Sequence, residues 1–360
     1  MHNLEKIYRN KKVLVTGHTG FKGSWLILWL HQLGADIIGY SLEPPTKPNL
    51  FESLNLQSKI THIIGNVIDQ KHLDSIVHQY QPEFVFHLAA QSIVRYSYKV
   101  PKLTMETNIM GTVNLLEALR KTESVKACLI ITSDKCYENK EWIYSYREVD
   151  TLGGNDPYSC SKACAELITA SYRKSFFNKA DYESSHSAAL SSVRAGNIIG
   201  GGDWAEDRII PDCVKALSMG MPIIIRNPSA IRPWLYILDP IYGYLLLGAK
   251  MIANSIDYCS AWNFGPQINS KATVEDLVNL VIKYWGNGSY KIDSSPQPLE
   301  AGLLQLDSTK AGTFLGWKSL IGIDEAIKRT IEWYRHYYSS KEKLYEKTVN
   351  EIHEYLSQIN

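Results

Sequence analysis

The sequence predicts an α/β protein: a Rossmann-type, doubly wound parallel sheet with a smaller mixed α/β C-terminal lobe. Three observations lead there. Apolar runs of strand length alternate with helical patterns as far as residue 194. The runs are apolar throughout instead of at every second residue, the mark of strands covered on both faces. A glycine-rich turn joins the first run to the first helix.

In chain order, Val13-Leu14-Val15 is the first strand, residues 16–23 the turn and residues 24–33 an apolar helix. Ile37-Ile38-Gly39-Tyr40 forms the second strand, and further strands are expected at 60–64, 84–88, 127–131 and 191–194. Helical patterns occupy 71–80, 103–122 and 158–177 between them. After Gly200-Gly201-Gly202 the rhythm changes to shorter strands, loops richer in Pro and Gly, and helices at 273–284 and 324–338. The expected division is a dinucleotide-binding domain over 1–195, with 234–258 returning to it as strand then helix. The substrate lobe is then 196–233 and 259–360.

Composition narrows the function classes. The 360 residues are 45% hydrophobic and 21% charged, as in ordinary globular proteins. A net charge of +1 gives no reason to expect a nucleic acid or an acidic membrane as partner. Six cysteines without C-x-x-C spacing read as reduced thiols, and the N-terminal residues have no signal-peptide apolar segment, so a cytoplasmic protein is expected. No apolar run reaches the roughly 18 residues that a membrane helix requires.

Gly17-His18-Thr19-Gly20-Phe21-Lys22-Gly23 is a G-x-x-G-x-x-G loop between strand and helix. Such a loop lets backbone approach a pyrophosphate and offers it the unpaired N–H groups of a helix N-terminus. An acidic residue is expected about 20 positions on to hold the adenosine ribose. The chain has Tyr40-Ser41-Leu42-Glu43 there, so Ser41 or Glu43 must serve. Without an arginine placed for a 2′-phosphate, NAD is expected over NADP. His18 is bulkier than close approach needs; it either loosens the cofactor's grip or points to solvent. Leu88, Ala89 and Ala90 end a strand at the sheet's carboxyl edge, where a cofactor passes close.

Tyr-x-x-x-Lys occurs four times, at Tyr8/Lys12, Tyr98/Lys102, Tyr158/Lys162 and Tyr337/Lys341. On a helix this spacing puts both side chains on one face, where the ammonium can lower the phenol's pKa and the phenolate can take a hydroxyl proton. Only Tyr158/Lys162 opens a long helix shortly after a strand that ends in Thr132-Ser133-Asp134-Lys135. Alone, Ser133-Asp134-Lys135 would read as a polar loop with a surface ion pair. Next to Tyr158 it reads as an acid and a base at the same substrate.

With these motifs the chain resembles the extended short-chain dehydrogenase/reductase family, and within it the nucleotide-sugar 4,6-dehydratases. The resemblance covers residues 11–334. Its most specific segments are Ser133-Asp134-Lys135-Cys136-Tyr137-Glu138-Asn139, the stretch from Gly200 to Arg208, and Arg232-Pro233-Trp234. It implies an NAD-dependent lyase that oxidises a hexose at C4, eliminates water across C5 and C6, and reduces C6. Tyr158 would be the C4 base, Lys162 its electrostatic support and Ser133 the partner of the C4 oxygen. Asp134 would be the acid at C6 and Lys135 the base at C5, which needs a depressed pKa. A glutamate is common at the last position elsewhere in the group. The lysine, read with Cys136-Tyr137-Glu138-Asn139, leans the substrate toward CDP-glucose.

The resemblance also places Asn66 and Val67 against adenine, although Asn66 could be a plain turn residue, and Asn108 among the cofactor residues as a support of the catalytic helix. Gln91, Asn197, Asp203, Trp204, Arg208 and Arg232 are the implied substrate residues, the two arginines for the phosphates; a salt bridge is the alternative for each. A homodimer through the helices at 103–122 and 158–177 is implied too, and a role in deoxysugar synthesis for surface polysaccharide. A nucleotide-sugar 4-epimerase would share the fold, NAD and Tyr158/Lys162, but has no use for Asp134-Lys135. A non-catalytic NAD sensor would be expected to have lost one of these groups.

Overall fold

The computed structural model describes residues 2–254, 257–267, 272–293, 295 and 302–359. Parts of the lobe ranges expected from sequence lie outside them. Seven strands form the central sheet: β1 (Lys12–Thr16), β2 (Asp36–Ser41), β3 (Thr61–Ile64), β4 (Phe84–His87), β5 (Ala127–Ile131), β6 (Ala189–Ala195) and, further on, Ala261–Phe264. Every pairing in it is parallel. The order across the sheet runs from Ala261–Phe264 through β6, β5, β4, β1 and β2 to β3. The chain therefore starts near the middle and winds outward in both directions, with its order reversing between β1 and β4.

Both faces are covered, which is why the strands are apolar throughout. On one side lie α1 (Phe21–Gln32) and, later in the chain, Leu238–Asn254. On the other are α2 (Gln70–Tyr80), α3 (Gly111–Arg120) and α4 (Pro157–Ser175). The α1 segment is apolar all round, as a helix packed between sheet and second lobe must be. The start of α4 is written locally: Asp156 accepts from the Ser159 N–H at 2.9 Å, and Pro157 occupies the first turn. That cap places Tyr158 at the helix's first turn and Lys162 one turn later.

The helix expected over 103–122 is continuous but irregular. Pro101–Met105 leads through a π-helical turn, Glu106–Met110, into α3. Such turns often mark functional positions, and this one carries Asn108.

The second lobe contains two short parallel pairs. β7 (Asn197–Ile199) pairs with β9 (Trp234–Tyr236), and β8 (Ile223–Ile225) pairs with Tyr290–Ile292. Trp234–Tyr236, expected to return to the first domain, instead pairs with β7 and leads into α5 (Leu238–Asn254), which packs against the sheet. Ala261–Phe264, now β10, lies beyond residue 258 where the second lobe was expected, yet it pairs with β6 as the seventh strand. Helices α6 (Val274–Trp285), α7 (Ile323–Ser339) and α8 (Leu344–Ser357) complete the lobe. One apolar cluster runs from the sheet through α5 into α6, α7 and α8, so the two lobes share a core. Among the described residues no helix is long and apolar enough to cross a membrane.

The α8 helix buries a carboxyl that tests this shared core. Glu351 is 6% exposed and accepts from the Tyr236 hydroxyl at 2.6 Å. Burial pushes its pKa up to about 7. The folded value lies above the unfolded one, so its stabilising contribution is complete below about pH 4 and is lost as pH rises through 7. Glu351→Gln keeps an acceptor for Tyr236 without the charge. It should raise stability by on the order of 2 kcal/mol at pH 8 and change little near pH 4, which thermal denaturation at the two pH values will check.

Candidate active site

The loops after β1 and β4 part at the sheet's carboxyl edge because the strand order reverses there, the usual place for a ligand in an open α/β sheet. A cavity of about 870 Å³ opens at that point and extends between the lobes. Ser133, Asp134, Lys135, Tyr158 and Lys162 all line it. None of the other three Tyr-x-x-x-Lys pairs does. Tyr8 is buried and donates to the Leu245 carbonyl at 2.8 Å, Tyr98 is exposed, and Tyr337 stacks on Trp333.

The glycine loop is built to take a dinucleotide, but its three glycines do different work. A Cβ on Gly17, whose φ is +73°, would come within 2.6 Å of the Ala89 nitrogen. One on Gly23 would meet the Gly17 carbonyl at 2.2 Å. Both keep the loop folded on itself and against the end of β4. Gly20 is different: a Cβ there would meet only the Gly17 oxygen, at 3.4 Å. It caps α1, so the open side of the loop and the helix N-terminus coincide. Thr19 bonds the Ser41 hydroxyl and the Leu42 carbonyl, both at 2.9 Å, tying the loop to the end of β2. Thr19, Phe21, Lys22, Ser41, Asn66, Val67, Leu88, Ala89 and Ala90 also line the cavity. The open glycine turn and the helix N-terminus on this wall fit the pyrophosphate of a dinucleotide.

His18 follows neither sequence reading. It is fully buried beneath the loop, packed edge-on against Phe51, and its Nε2 lies 2.7 Å from His62 Nδ1. Burial and His62 bring it down to about 3, so it is neutral.

The reacting groups meet where β5 ends. Ser133 donates to Asp134 Oδ1 at 2.8 Å, and Asp134 Oδ2 is buried with no partner. Burial raises the Asp134 carboxyl above its ordinary value, with Lys135 opposing. Burial also dominates at Tyr158, pushing the phenol up to about 12, while the Ser133 hydroxyl pulls it down. The depressed phenol expected from helix spacing is therefore absent in the bare protein, because desolvation outweighs the neighbouring cations. Lys162, which donates to the Ile131 carbonyl at 3.4 Å, is brought down to about 8 by burial, with Glu166 opposing. Lys22 is brought down to about 7 by burial, Lys162 and Arg208, and stands 6.0 Å over the Tyr244 ring.

The expected substrate residues Gln91, Asn197, Asp203, Trp204, Arg208 and Arg232 line the cavity too. Several are engaged internally. The Gln91 amide donates to Thr104 at 2.9 Å and accepts from the Ile93 N–H at 2.6 Å. Asp203 holds Arg208 at 2.8 Å, and Arg208 also reaches Ser92 across the cavity at 3.0 Å. Trp204 packs against Tyr337, with ring centroids 4.8 Å apart. Asn66 spends its side-chain carbonyl on the Ile68 N–H at 3.0 Å, which is turn chemistry.

Asn108, expected as a support of the catalytic helix, is not itself among the residues that line the cavity. It accepts from the Gln91 N–H at 2.8 Å and donates to the Gln91 carbonyl and to Ser161, so it ties α4 to the loop after β4. Its π-helical turn gives it that reach.

Among the lining residues that the sequence reading did not assign to the site are Arg95, Asp207 and Arg226. Asp207, in a left-handed conformation at φ +60°, bonds Arg95 at 3.3 Å and Arg226 at 3.1 Å, joining the two lobes at the cavity. The three glycines and Asp203-Trp204 before Asp207 were the available signal. Among the described residues no group of three or more His, Cys, Asp or Glu side chains is placed to hold a metal.

Comparison with known proteins gives the family and the fold. The family model described as GDP-mannose 4,6 dehydratase matches residues 14–330. A CDP-glucose 4,6-dehydratase of Salmonella typhimurium is 44% identical over 98% of this chain and 98% of its own. Among solved structures, a UDP-glucose 4-epimerase of Thermotoga maritima with UDP-glucose aligns with a TM-score of 0.76 at 24% identity, covering 91% of this chain and 100% of that one. A dTDP-glucose 4,6-dehydratase of Bacillus anthracis in complex with NAD aligns at 0.74 with 20% identity, covering 90% and 96%.

Proposed function

The chain belongs to the GDP-mannose 4,6 dehydratase family, and on that premise we propose that it is an NAD-dependent hydro-lyase converting CDP-glucose to CDP-4-dehydro-6-deoxy-glucose. The observation that carries the reaction is the meeting of Asp134 and Lys135 with Tyr158 and Lys162 in one cavity. A 4-epimerase would need only the second pair. The choice of nucleotide rests on the end-to-end likeness to the Salmonella enzyme.

The glycine loop, Ser41, Asn66, Val67 and the end of β4 hold the cofactor. When bound, NAD supplies the hydride acceptor at C4 and the donor at C6. Tyr158 takes the C4 hydroxyl proton, with Ser133 holding the oxygen and Lys162 supplying a positive charge nearby. Oxidation at C4 makes the C5 proton acidic; Lys135 removes it and later returns it. Asp134, whose protonated form burial favours, gives its proton to the departing C6 hydroxyl, which leaves as water. Over one cycle the proton gained at Tyr158 balances the one lost at Asp134. Asn197, Trp204, Arg208 and Arg232 bind the nucleotide sugar, the arginines at its phosphates, with Asp203 holding Arg208 in place.

In this reading residues 1–195 with 234–258 carry the cofactor, and 196–233 with 259–360 the substrate, β10 excepted. The exposed apolar Leu103, Met110, Leu167 and Phe176 support a homodimer through the 103–122 and 158–177 helices. The product would feed deoxysugar synthesis for lipopolysaccharide or another surface polysaccharide, in the cytoplasm.

Incubation with CDP-glucose and NAD should yield a 4-keto-6-deoxy sugar lighter by one water, with no net NADH. Recovery of CDP-galactose, or no turnover of any nucleotide glucose, would sink the proposal.

A further inference from the structure

Behind the cavity lies a buried charged network that the reaction described above does not use. Glu166, on α4 one turn beyond Lys162, has a side chain only 1% exposed. One carboxylate oxygen accepts from the Thr132 hydroxyl at 2.5 Å. The other accepts from the Ser192 hydroxyl and the Arg194 guanidinium, both at 2.7 Å. Arg194 in turn donates to the Tyr137 hydroxyl at 2.8 Å, and Tyr137 to Asn263 at 2.7 Å. The carboxylate thus joins α4, the end of β5 and β6, and through Tyr137 the segment just after Lys135.

Burying an ion pair this deeply rarely repays its desolvation in stability. Its position suggests another use. Thr132 immediately precedes Ser133 and Asp134, and Lys162 lies one helical turn before Glu166 on the same face. We propose that Glu166 is a positioning residue, keeping Lys162 charged and, through Thr132, seating Ser133 and Asp134 against the catalytic helix. This rests on the dehydratase reading for what Lys162 does, but not for the geometry.

The charged groups around Lys162 decide the sign. Its own helix presents Tyr158 and Glu166. Asp134 and Cys136 come from the turn after β5, Arg194 from β6, His87 from β4 and Lys22 from the glycine loop. Burial is the main force removing the proton from Lys162; Glu166 and then Cys136 act to keep it. His87, held near 3, is neutral, and the Cys136 thiol is raised well above its ordinary value, so neither replaces Glu166 as a charge. Removing the carboxylate takes away the largest influence that opposes burial. Lys162 then loses its proton at lower pH.

Glu166→Gln should move the alkaline limb of the pH–rate profile to lower pH by about one unit or more, so the loss is far larger at pH 8.5 than at pH 6.5. Thr132→Val removes the seating bond, with the longer one to the Val193 carbonyl at 3.1 Å, but no charge, and should lower kcat at every pH while leaving the limb in place. The double variant Glu166→Gln/Arg194→Met, which leaves no buried charge unpaired, is the second variant should Glu166→Gln fail to fold; its limb should move to lower pH as well. A limb that stays put, or a uniform loss across pH, in whichever charge variant folds would overturn the proposal. Competitive acetylation of Lys162 across pH, read by mass spectrometry, gives the same midpoint without substrate. Absence of turnover therefore counts against the function, and an unmoved acetylation midpoint against the role of Glu166.

Discussion

Asp134→Asn is expected to cut formation of the dehydrated sugar by about 10²–10⁴-fold while C4 oxidation survives. Reduced cofactor should therefore accumulate in the first turnover instead of being consumed. Asparagine keeps the shape of the aspartate and its acceptor for the Ser133 hydroxyl, so the turn at the end of β5 has no reason to move. It lacks the acidic proton. The wild-type carboxyl is 2% exposed and raised by burial, and its second oxygen has no hydrogen-bond partner among the described residues, which suits it to meet a leaving hydroxyl. Because the carboxyl must be protonated, the elimination step should slow as pH rises through its raised value. Stopped-flow absorbance of NADH together with mass analysis of the sugar separates the two halves of the reaction. Unimpaired dehydration in this variant would remove Asp134 from the mechanism.

Tyr158→Phe should give a loss of similar size, about 10²–10⁴-fold, but at the first step. No NADH should appear at all, even transiently. The phenyl ring still fills the space of a side chain that is 7% exposed, so stability and NAD binding should be close to wild type. In the intact protein the rate should climb with pH as the phenol becomes easier to ionise, then fall as Lys162, brought down to about 8, loses its charge. Transient NADH with Tyr158→Phe would mean that another group takes the C4 proton. Seen together, one variant accumulating NADH and the other making none would place Asp134 and Tyr158 on opposite sides of C4 oxidation.

Much of this site was legible because its signals are local. The glycine loop needs only a strand, three glycines and a helix start, all adjacent in the chain. Tyr158 and Lys162 share a face through helix geometry, and Asp156-Pro157 writes the helix start in two letters. Asp134 and Lys135 stand at a strand end, where parallel sheets put their ligands. Other features have no local signature. β10 is four residues, Ala-Trp-Asn-Phe, outside any strand–helix rhythm, and becomes a strand only because β6 offers an open edge. Arg95, Asp207 and Arg226 are ordinary polar residues in loops until the lobes bring them together. Glu166 looks like one more solvated helix residue, since Thr132, Ser192 and Arg194 reach it only across two neighbouring strands.

Tyr158/Lys162 and Ser133-Asp134-Lys135, with the apolar rhythm around them, determined by themselves the parallel sheet, the cofactor edge and the kind of chemistry. Periodicity and chain adjacency suffice for that, because helix and strand repeats dictate which neighbours share a face. The tertiary structure decided the charge states and the assignments of second rank. It buried Asp134, Tyr158 and Lys162 together and turned His18 inward onto His62. It also gave Glu166 its network. Those outcomes depend on desolvation and on contacts between residues far apart in the chain, and both exist only after the sheet has closed over its two faces.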